Sequence, residues 1–201
     1  RFLSEGQTNT ARIRAREIAT LNALVVDAHL GLIRGHRLDT GLFRPTGALQ
    51  LYRDKKAAPP DRLTEEMHVE HGIRMDVLGA DELYQMEPGL ARDFEAATYY
   101  PEVGHVSTSI ALSEAYAGVF RARGGQFVRE TVRGFEVGPG GPRKVITDLG
   151  MHEVDHLVIA AGAWSRKLTR MLGTDVSLDT ERGYPLNVAW TDGVTLNRPV
   201  Y

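Results

Sequence analysis

The chain of 201 residues contains no cysteine. Disulfides, thiolate nucleophiles and thiolate metal ligands are therefore excluded, and the absence fits a reducing compartment. Long apolar runs are missing too, since the longest covers about eight residues against the roughly 20 needed to span a bilayer. No signal-peptide pattern opens the sequence. We therefore expect a cytoplasmic protein, with peripheral attachment at the inner membrane as the open alternative.

The sequence also lacks an excess of charge of one sign. Lys and Arg number 24 against 26 Asp and Glu, so the net charge is −2, and the basic residues are scattered along the chain. A nucleic-acid partner is therefore not expected. Hydrophobic residues at 42% and charged residues at 25% are ordinary for a globular protein that buries a core.

Apolar periodicity predicts helices that alternate with strands. The three- and four-residue spacing from Thr10 to Leu32 predicts one long amphipathic helix. The segment Leu42–Asp54 predicts a strand with Gly47 at its entrance. Further helices are predicted over 63–71, 80–86, a segment that begins at Ser107–Ser109 and ends at Gly124–Gly125, and 164–172; further strands are predicted just before residue 80, from Ala96, and over 126–137, 143–149, 152–161 and 183–190.

The segment Leu157–Ser165 predicts a short buried strand that stops at Gly162 and turns into a helix. In open α/β sheets, the carboxyl end of such a strand is where ligands bind. Ala160–Ala163 lack bulky side chains, so a flat or phosphorylated ligand could contact the backbone there. The alternative is that these small residues only allow the helix to pack on the strand.

Several segments carry information when they are taken together. They are YYPEVGHVSTSIALSEAYAGVFRARGGQF, ETVRGFEV, HLVIAAGAWSRKL and TERGYPLNV. In this order and at these spacings they resemble the D-amino-acid oxidase-like superfamily of FAD-dependent oxidoreductases. LFRPTGALQLYRD, GIRMDVLGADELYQMEPGL and RFLSEGQTN further resemble the substrate domain of its D-amino-acid dehydrogenases.

The resemblance implies a mixed α/β (α+β) fold. Part of an FAD-binding, Rossmann-like domain with a β-meander would join a substrate domain built on an antiparallel sheet. Residues 1–106 would form the substrate domain with an N-terminal helix, 107–175 a segment of the FAD-binding domain, and 176–201 a return to the substrate domain. The implied cofactor is FAD, and the implied partner is a small-molecule amino acid substrate.

The resemblance also implies which residues meet the cofactor. Val132 would lie with its backbone against the adenine, Ala161, Gly162, Ala163 and Trp164 would pass the ribose and pyrophosphate, and Arg182 and Gly183 would lie near the isoalloxazine. Gly47, His105 and Tyr184 are expected on the substrate side. No catalytic base is assigned, because in this superfamily the substrate amine can bind in its neutral form.

Each assignment has a structural alternative. Trp164 could anchor its helix to the sheet, His105 could be a loop histidine without a role, and Arg182 could pair with a neighbouring carboxylate. His68 and His71 lie one helical turn apart, but they lack the H-E-x-x-H order. A solvated helix face is the favoured interpretation, and no metal site is assigned.

One feature of the superfamily is missing. No strand here is followed by G-x-G-x-x-G, the segment that binds the FAD pyrophosphate, and GPGG at 138–141 predicts a hairpin turn instead. We therefore expect an internal fragment, completed by N- and C-terminal parts of the same polypeptide. Alone it should bind FAD weakly or not at all, be inactive, and self-associate through an uncovered sheet edge.

The implied function is that of the full-length parent. It would oxidise a D-amino acid by hydride transfer to the flavin, and the imino acid would hydrolyse to a keto acid and ammonia. Two alternatives remain open. One is a non-catalytic, flavoprotein-like binding or interaction module, and the other is a related enzyme that oxidises glycine, sarcosine or glycerol 3-phosphate.

Overall fold

A computed structural model describes residues 8–58, 60–186 and 195–201. The described residues fall into two compact units. Unit 1 runs to Gly125 and includes the segment 195–201, and unit 2 begins at Gln126. The domain boundaries expected from the resemblance stay predictions.

Unit 1 begins with two helices, α1 (Thr8–Asn22) and α2 (Val25–Gly35), so the prediction of a single helix was wrong. The chain turns between them, where Leu24 N donates to Leu21 O at 3.2 Å. The two helices pack on different partners. Arg12 of α1 forms ion pairs with Glu66 and Glu70, whereas α2 buries Ile33.

Among the described residues, the rest of unit 1 consists of two small antiparallel sheets and three α-helices. In chain order they are β1 (Phe43–Arg44), β2 (Ala48–Tyr52), α3 (Arg62–Glu70), β3 (Asp76–Gly79), α4 (Ala80–Met86), β4 (Ala96–Tyr100), β5 (His105–Val106) and α5 (Ser109–Ala122). The sheet order is β2-β4-β3, and β1 pairs with β5. All these pairings are antiparallel.

The core of unit 1 lies between the three-stranded sheet and α4. Its buried members are Leu49, Leu78, Leu83 and Ala97, and they come from all three strands and the helix. The helix begins where predicted, because Glu82 Oε2 accepts a hydrogen bond from Gly79 N at 3.0 Å. Helix α5 likewise begins at one of the three predicted caps, since Thr108 Oγ1 accepts a hydrogen bond from Ala111 N at 3.0 Å.

Unit 2 contains a three-stranded antiparallel meander followed by a short helix. Its strands are β6 (Val132–Gly138), β7 (Gly141–Thr147) and β8 (Met151–Glu153), and its helix is α6 (Ser165–Met171). The hairpin turn predicted for 138–141 is confirmed, with Gly141 at φ +116°. The predicted helix start at Trp164 is corrected, since a 3-10 turn, Gly162–Trp164, precedes α6.

The buried strand predicted over 157–161 was wrong. The third strand of the meander ends at Glu153, and no strand in the described part of the chain pairs with the residues that follow. Val158 is 85% exposed. A strand needs a neighbour for its backbone groups and a cover for its apolar faces, and the described residues supply neither. The predicted strand at 183–190 is coil up to residue 186, and its remainder lies outside the described residues.

The fold class is confirmed, because both units mix helices with antiparallel sheets. The helical stretch Asn9–Gly35 is long and apolar enough to cross a membrane by length and composition, with a mean hydropathy of 1.2 in its best window. Only 6% of that window is buried. A helix whose apolar face is covered in a longer protein would pass the same test, so the cellular location stays a prediction.

Candidate functional site

The side-chain-poor segment of unit 2 forms a tight, open turn. Gly162 has φ +53°, a conformation that strongly favours glycine, and a Cβ added there would meet no heavy atom within 4 Å. The turn is held from within, since Ala161 N donates to Ser165 Oγ at 3.1 Å and Trp164 N donates to Ala161 O at 3.1 Å. Nothing in the described chain therefore fills the space over this glycine.

Trp164 extends away from the protein. It is 74% exposed, so the described residues do not support its alternative role as an anchor between helix and sheet. Helix α6, which follows it, lies beside β6. The Gly162 turn thus leads into the helix that lies beside the strand beginning at Val132.

Val132 is the first residue of β6 and pairs with Thr147. Just before it, Thr131 N donates to Asp148 Oδ1 at 2.9 Å, and Asp148 N donates to Thr131 O at 3.0 Å. The hydrogen bond from the Thr131 backbone is the main cause that lowers the pKa of Asp148. The ladder register shifts between Val132 and Gly134, and such irregularities re-aim the backbone locally.

The third cofactor-side group lies apart from any helix or strand. Arg182, Gly183 and Tyr184 are in exposed coil after α6, and Tyr184 is 83% exposed. The expected place of Arg182 and Gly183 beside the isoalloxazine stays a prediction, and so does the expected place of Tyr184 on the substrate side.

Gly47 and His105, which the resemblance places on the substrate side, lie on neighbouring segments of unit 1. Gly47 N donates to Val103 O at 2.8 Å, and Thr46 Oγ1 lies 3.2 Å from His105 Nδ1. Gly47 has φ +75°, and a Cβ there would lie 2.4 Å from Tyr99 Cε2. The packing alone therefore explains why this position is glycine. Whether either residue meets substrate stays a prediction.

Sequence reasoning missed a buried carboxylate in unit 1. Glu87 is 0% exposed and accepts hydrogen bonds from Asn197 N at 2.9 Å and from Arg198 Nε at 2.7 Å. These partners are 110 and 111 residues away along the chain. The only local sign is a glutamate placed between apolar Met86 and Pro88, which does not indicate its partner.

A large cleft in the described chain lies elsewhere, beside the turn between β6 and β7. It is an open cleft of about 770 Å³ lined by charged groups that include Glu136, Arg143, Lys144 and Glu153. Ligand pockets are usually concave and mostly apolar with few polar groups. The cleft includes none of the expected site residues, and Lys144 is already paired with Glu136 at 3.1 Å. We do not assign it as the site.

Comparison with known proteins gives a family over nearly the whole chain. The sequence profile of the DAO family, described as FAD dependent oxidoreductase, matches residues 3–201. Glycine oxidase from Bacillus licheniformis is 34% identical over 125 residues, which are 62% of this chain and 33% of that protein. D-amino acid dehydrogenase 2 from Mesorhizobium japonicum is 27% identical over 199 residues, which are 96% of this chain and 47% of that protein.

A solved structure agrees in fold. Glycine oxidase from Bacillus cereus superimposes with a TM-score of 0.56 at 25% identity, and the match covers 78% of this chain and 42% of that one. The resemblance inferred from the sequence is thus confirmed at the level of the family. The chain spans less than half the length of these relatives.

Proposed function

The chain belongs to the DAO family of FAD-dependent oxidoreductases, and from that premise we propose that the complete protein oxidises a D-amino acid with FAD as the hydride acceptor. The observation that carries the proposal is the family match from residue 3 to residue 201. The open turn at Gly162 supports it from the geometry.

The residues present fit a nucleotide cofactor. The turn at Gly162 requires a left-handed backbone, carries only small side chains on Ala161 and Ala163, and has free space above it. A dinucleotide lying along such a turn can contact the main chain closely. Val132 would offer its backbone to the adenine, and Ala161, Gly162, Ala163 and Trp164 would follow the ribose and pyrophosphate. FAD supplies the hydride-accepting chemistry, while the protein orients cofactor and substrate.

The reaction consumes water, and it also needs an electron acceptor that reoxidises the reduced cofactor after each turnover. The α-carbon of the amino acid loses a hydride to the cofactor and the amine loses a proton, which leaves an imino acid. Water then converts the imino acid into a keto acid and ammonia. The D-amino acid is favoured because the relative named D-amino acid dehydrogenase 2 matches 96% of this chain.

Glycine is the second candidate substrate. The relative named glycine oxidase is more similar, at 34% identity, but the match covers only 62% of this chain. Glycine carries no side chain on its α-carbon, so a site for glycine excludes bulk where a site for D-alanine accommodates a methyl group. A comparison of substrates therefore separates the two candidates.

The test uses the complete protein, purified and examined for bound flavin. We expect a yellow protein that reduces an artificial electron acceptor with D-alanine, with lower kcat/KM for glycine and sarcosine and none for L-alanine. Higher kcat/KM for glycine would favour the second candidate. A colourless protein without activity on any of these amino acids would contradict the proposed function.

A further inference from the structure

We propose that Glu87 is a positioning residue that fixes His105 through Arg198, Tyr99 and Thr46. The inference rests on the proposed function in one respect, since His105 matters for the reaction only if it lies on the substrate side. The contacts themselves all belong to unit 1 and are independent of that function.

The first contact is a buried ion pair. The Glu87 carboxylate is fully buried, and the side chain of Arg198 is 16% exposed. Their atoms Oε1 and Nε lie 2.7 Å apart, and Asn197 Nδ2 also donates to Glu87 Oε2 at 3.3 Å. A buried charge is tolerated when it is paired and hydrogen-bonded, and removing one partner leaves the other uncompensated. Glu87 therefore fixes the guanidinium of Arg198.

The second contact joins that guanidinium to an aromatic ring. Arg198 Cζ lies 5.4 Å from the centroid of the Tyr99 ring, within the range of a cation–π interaction. The Tyr99 ring also lies where a Cβ of residue 47 would be, at 2.4 Å. The ring thus lies close both to the Arg198 guanidinium and to the backbone of Gly47.

The third step runs from Tyr99 to the histidine. Tyr99 OH donates to Thr46 O at 3.3 Å, and Thr46 Oγ1 lies 3.2 Å from His105 Nδ1. The backbone supports the same arrangement, because Arg44 pairs with His105 across β1 and β5. A shift of Arg198 therefore reaches His105 through one ring and one residue of the 44–47 segment.

The same carboxylate also secures the returning segment 195–201. Leu49 N donates to Pro199 O at 3.0 Å, and Tyr201 N donates to Leu49 O at 2.9 Å, so this segment lies parallel to the free edge of β2. Arg198 Nε donates to Glu87, and Arg198 Cζ lies 5.4 Å from the centroid of the Tyr99 ring. Its part is to hold Tyr99.

The test compares Glu87→Gln with Glu114→Gln in the complete, FAD-loaded protein. Both changes remove one negative charge, but Glu114 is an exposed residue of α5. The imidazole NMR signals of His105 are assigned by their loss in His105→Asn. We expect them to move in Glu87→Gln and in Tyr99→Phe, which removes only the hydroxyl, and to stay in place in Glu114→Gln.

Kinetics provides the second readout. Glu87→Gln should lower kcat roughly 10- to 100-fold with little change in KM, since small misplacements far from the reacting atoms have effects of that size. In a protein that already carries His105→Asn, adding Glu87→Gln should lower kcat no further. Glu87→Asp, which keeps the carboxylate, should have a higher kcat than Glu87→Gln. A merely structural role would lower the unfolding midpoint and leave these quantities unchanged.

The outcomes separate the two proposals. If the wild-type protein oxidises no amino acid, the proposed function fails, while the His105 signals still test the positioning role. If Glu87→Gln does not fold, Tyr99→Phe gives the same test with the core intact. Unchanged His105 signals in Tyr99→Phe and in folded Glu87→Gln would overturn the inference.

Discussion

Every buried apolar residue of the described chain belongs to unit 1, whereas no described residue of unit 2 is buried. The difference does not come from a shortage of apolar residues in unit 2. Val158, Trp164 and Leu149 are all large and apolar, and they are 85%, 74% and 77% exposed. Unit 2 has apolar side chains without a surface to cover them.

The comparison shows what an antiparallel meander needs in order to be stable. In unit 1, α4 covers one face of the three-stranded sheet and completes a core around Leu49 and Leu83. In unit 2, three strands carry only the short helix α6 beside β6. No residue of these three strands is buried, so the sheet buries little apolar area, and burial is the main source of stability.

Amide hydrogen exchange should separate the two units by the largest margin. Amides in β2 and β4 should exchange about 10³-fold or more slowly than amides in β6 and β7, because core strands open only with global unfolding. Exchange measured by NMR or mass spectrometry on the 201-residue chain tests this. Equal protection in the two three-stranded sheets would mean that unit 2 has a core of its own.

Truncation of one apolar residue in each unit is the next test. Leu49→Ala should lower the free energy of unfolding by about 2–5 kcal/mol, since Leu49 is 0% exposed within the core. Val158→Ala, at a residue that is 85% exposed, should change it by less than about 0.5 kcal/mol. Urea denaturation measures both values. If Val158→Ala lowered the free energy of unfolding as much as Leu49→Ala, the contrast between a buried core in unit 1 and exposed apolar residues in unit 2 would be wrong.

Two glycines with positive φ, one in each unit, test the difference in packing between the units. Gly47→Ala should cost roughly 2 kcal/mol or more, because backbone strain adds to a clash with Tyr99 and with Tyr100 O at 2.8 Å. Gly162→Ala meets open space and should cost only the strain, about 1–2 kcal/mol. In the complete protein, however, Gly162→Ala should weaken FAD binding, as flavin fluorescence titration can measure. Unchanged FAD affinity would contradict the proposed contact between FAD and the Gly162 turn.

The smallest effect is expected at the surface of unit 2. Hydrogen bonds from Arg166 and then Arg170 lower the pKa of Asp175 well below its ordinary 3.8. A carboxyl whose pKa is lower in the folded state stabilises the fold above its unfolded pKa, and this contribution is lost as the pH falls through the folded pKa. The loss should therefore begin below about pH 4.

Acid titration followed by circular dichroism measures this effect. Asp175→Asn should abolish that part of the acid destabilisation, and the change should be small because the three side chains are exposed. Asp155→Asn is the matched control, since Asp155 is an exposed residue of the same unit. Identical acid titrations for wild type and Asp175→Asn would show that the cluster does not contribute.

Much of unit 1 could be predicted because its signals are local. The bounds of α4, Ala80–Met86, follow from an acidic first turn and from Pro88 after its end. The start of α5 follows from Thr108, whose hydroxyl caps the backbone three residues on. Such interactions join residues within one turn, so the order of residues is sufficient to find them.

Less of the candidate site could be predicted without the family resemblance. The periodicity at 157–161 is that of a strand, but whether it pairs depends on a neighbour, and the described residues contain none for it. The Gly162 turn was found because small residues are visible in the sequence. The φ of +53° at Gly162 and the open space above that residue could not be predicted from the sequence.

The sequence by itself determined helices α3 to α5 and strands β2 to β4 of unit 1, the hairpin at 138–141 and the family, because these depend on spacing and on residue type along one segment. Only the tertiary structure decided that the N-terminal helix breaks in two, that 157–161 stays unpaired, and that Glu87 meets Arg198. Each of these depends on the free energy of contacts between residues far apart in the chain. No local pattern specifies which distant group will be there to pair with a buried charge or to cover an apolar strand.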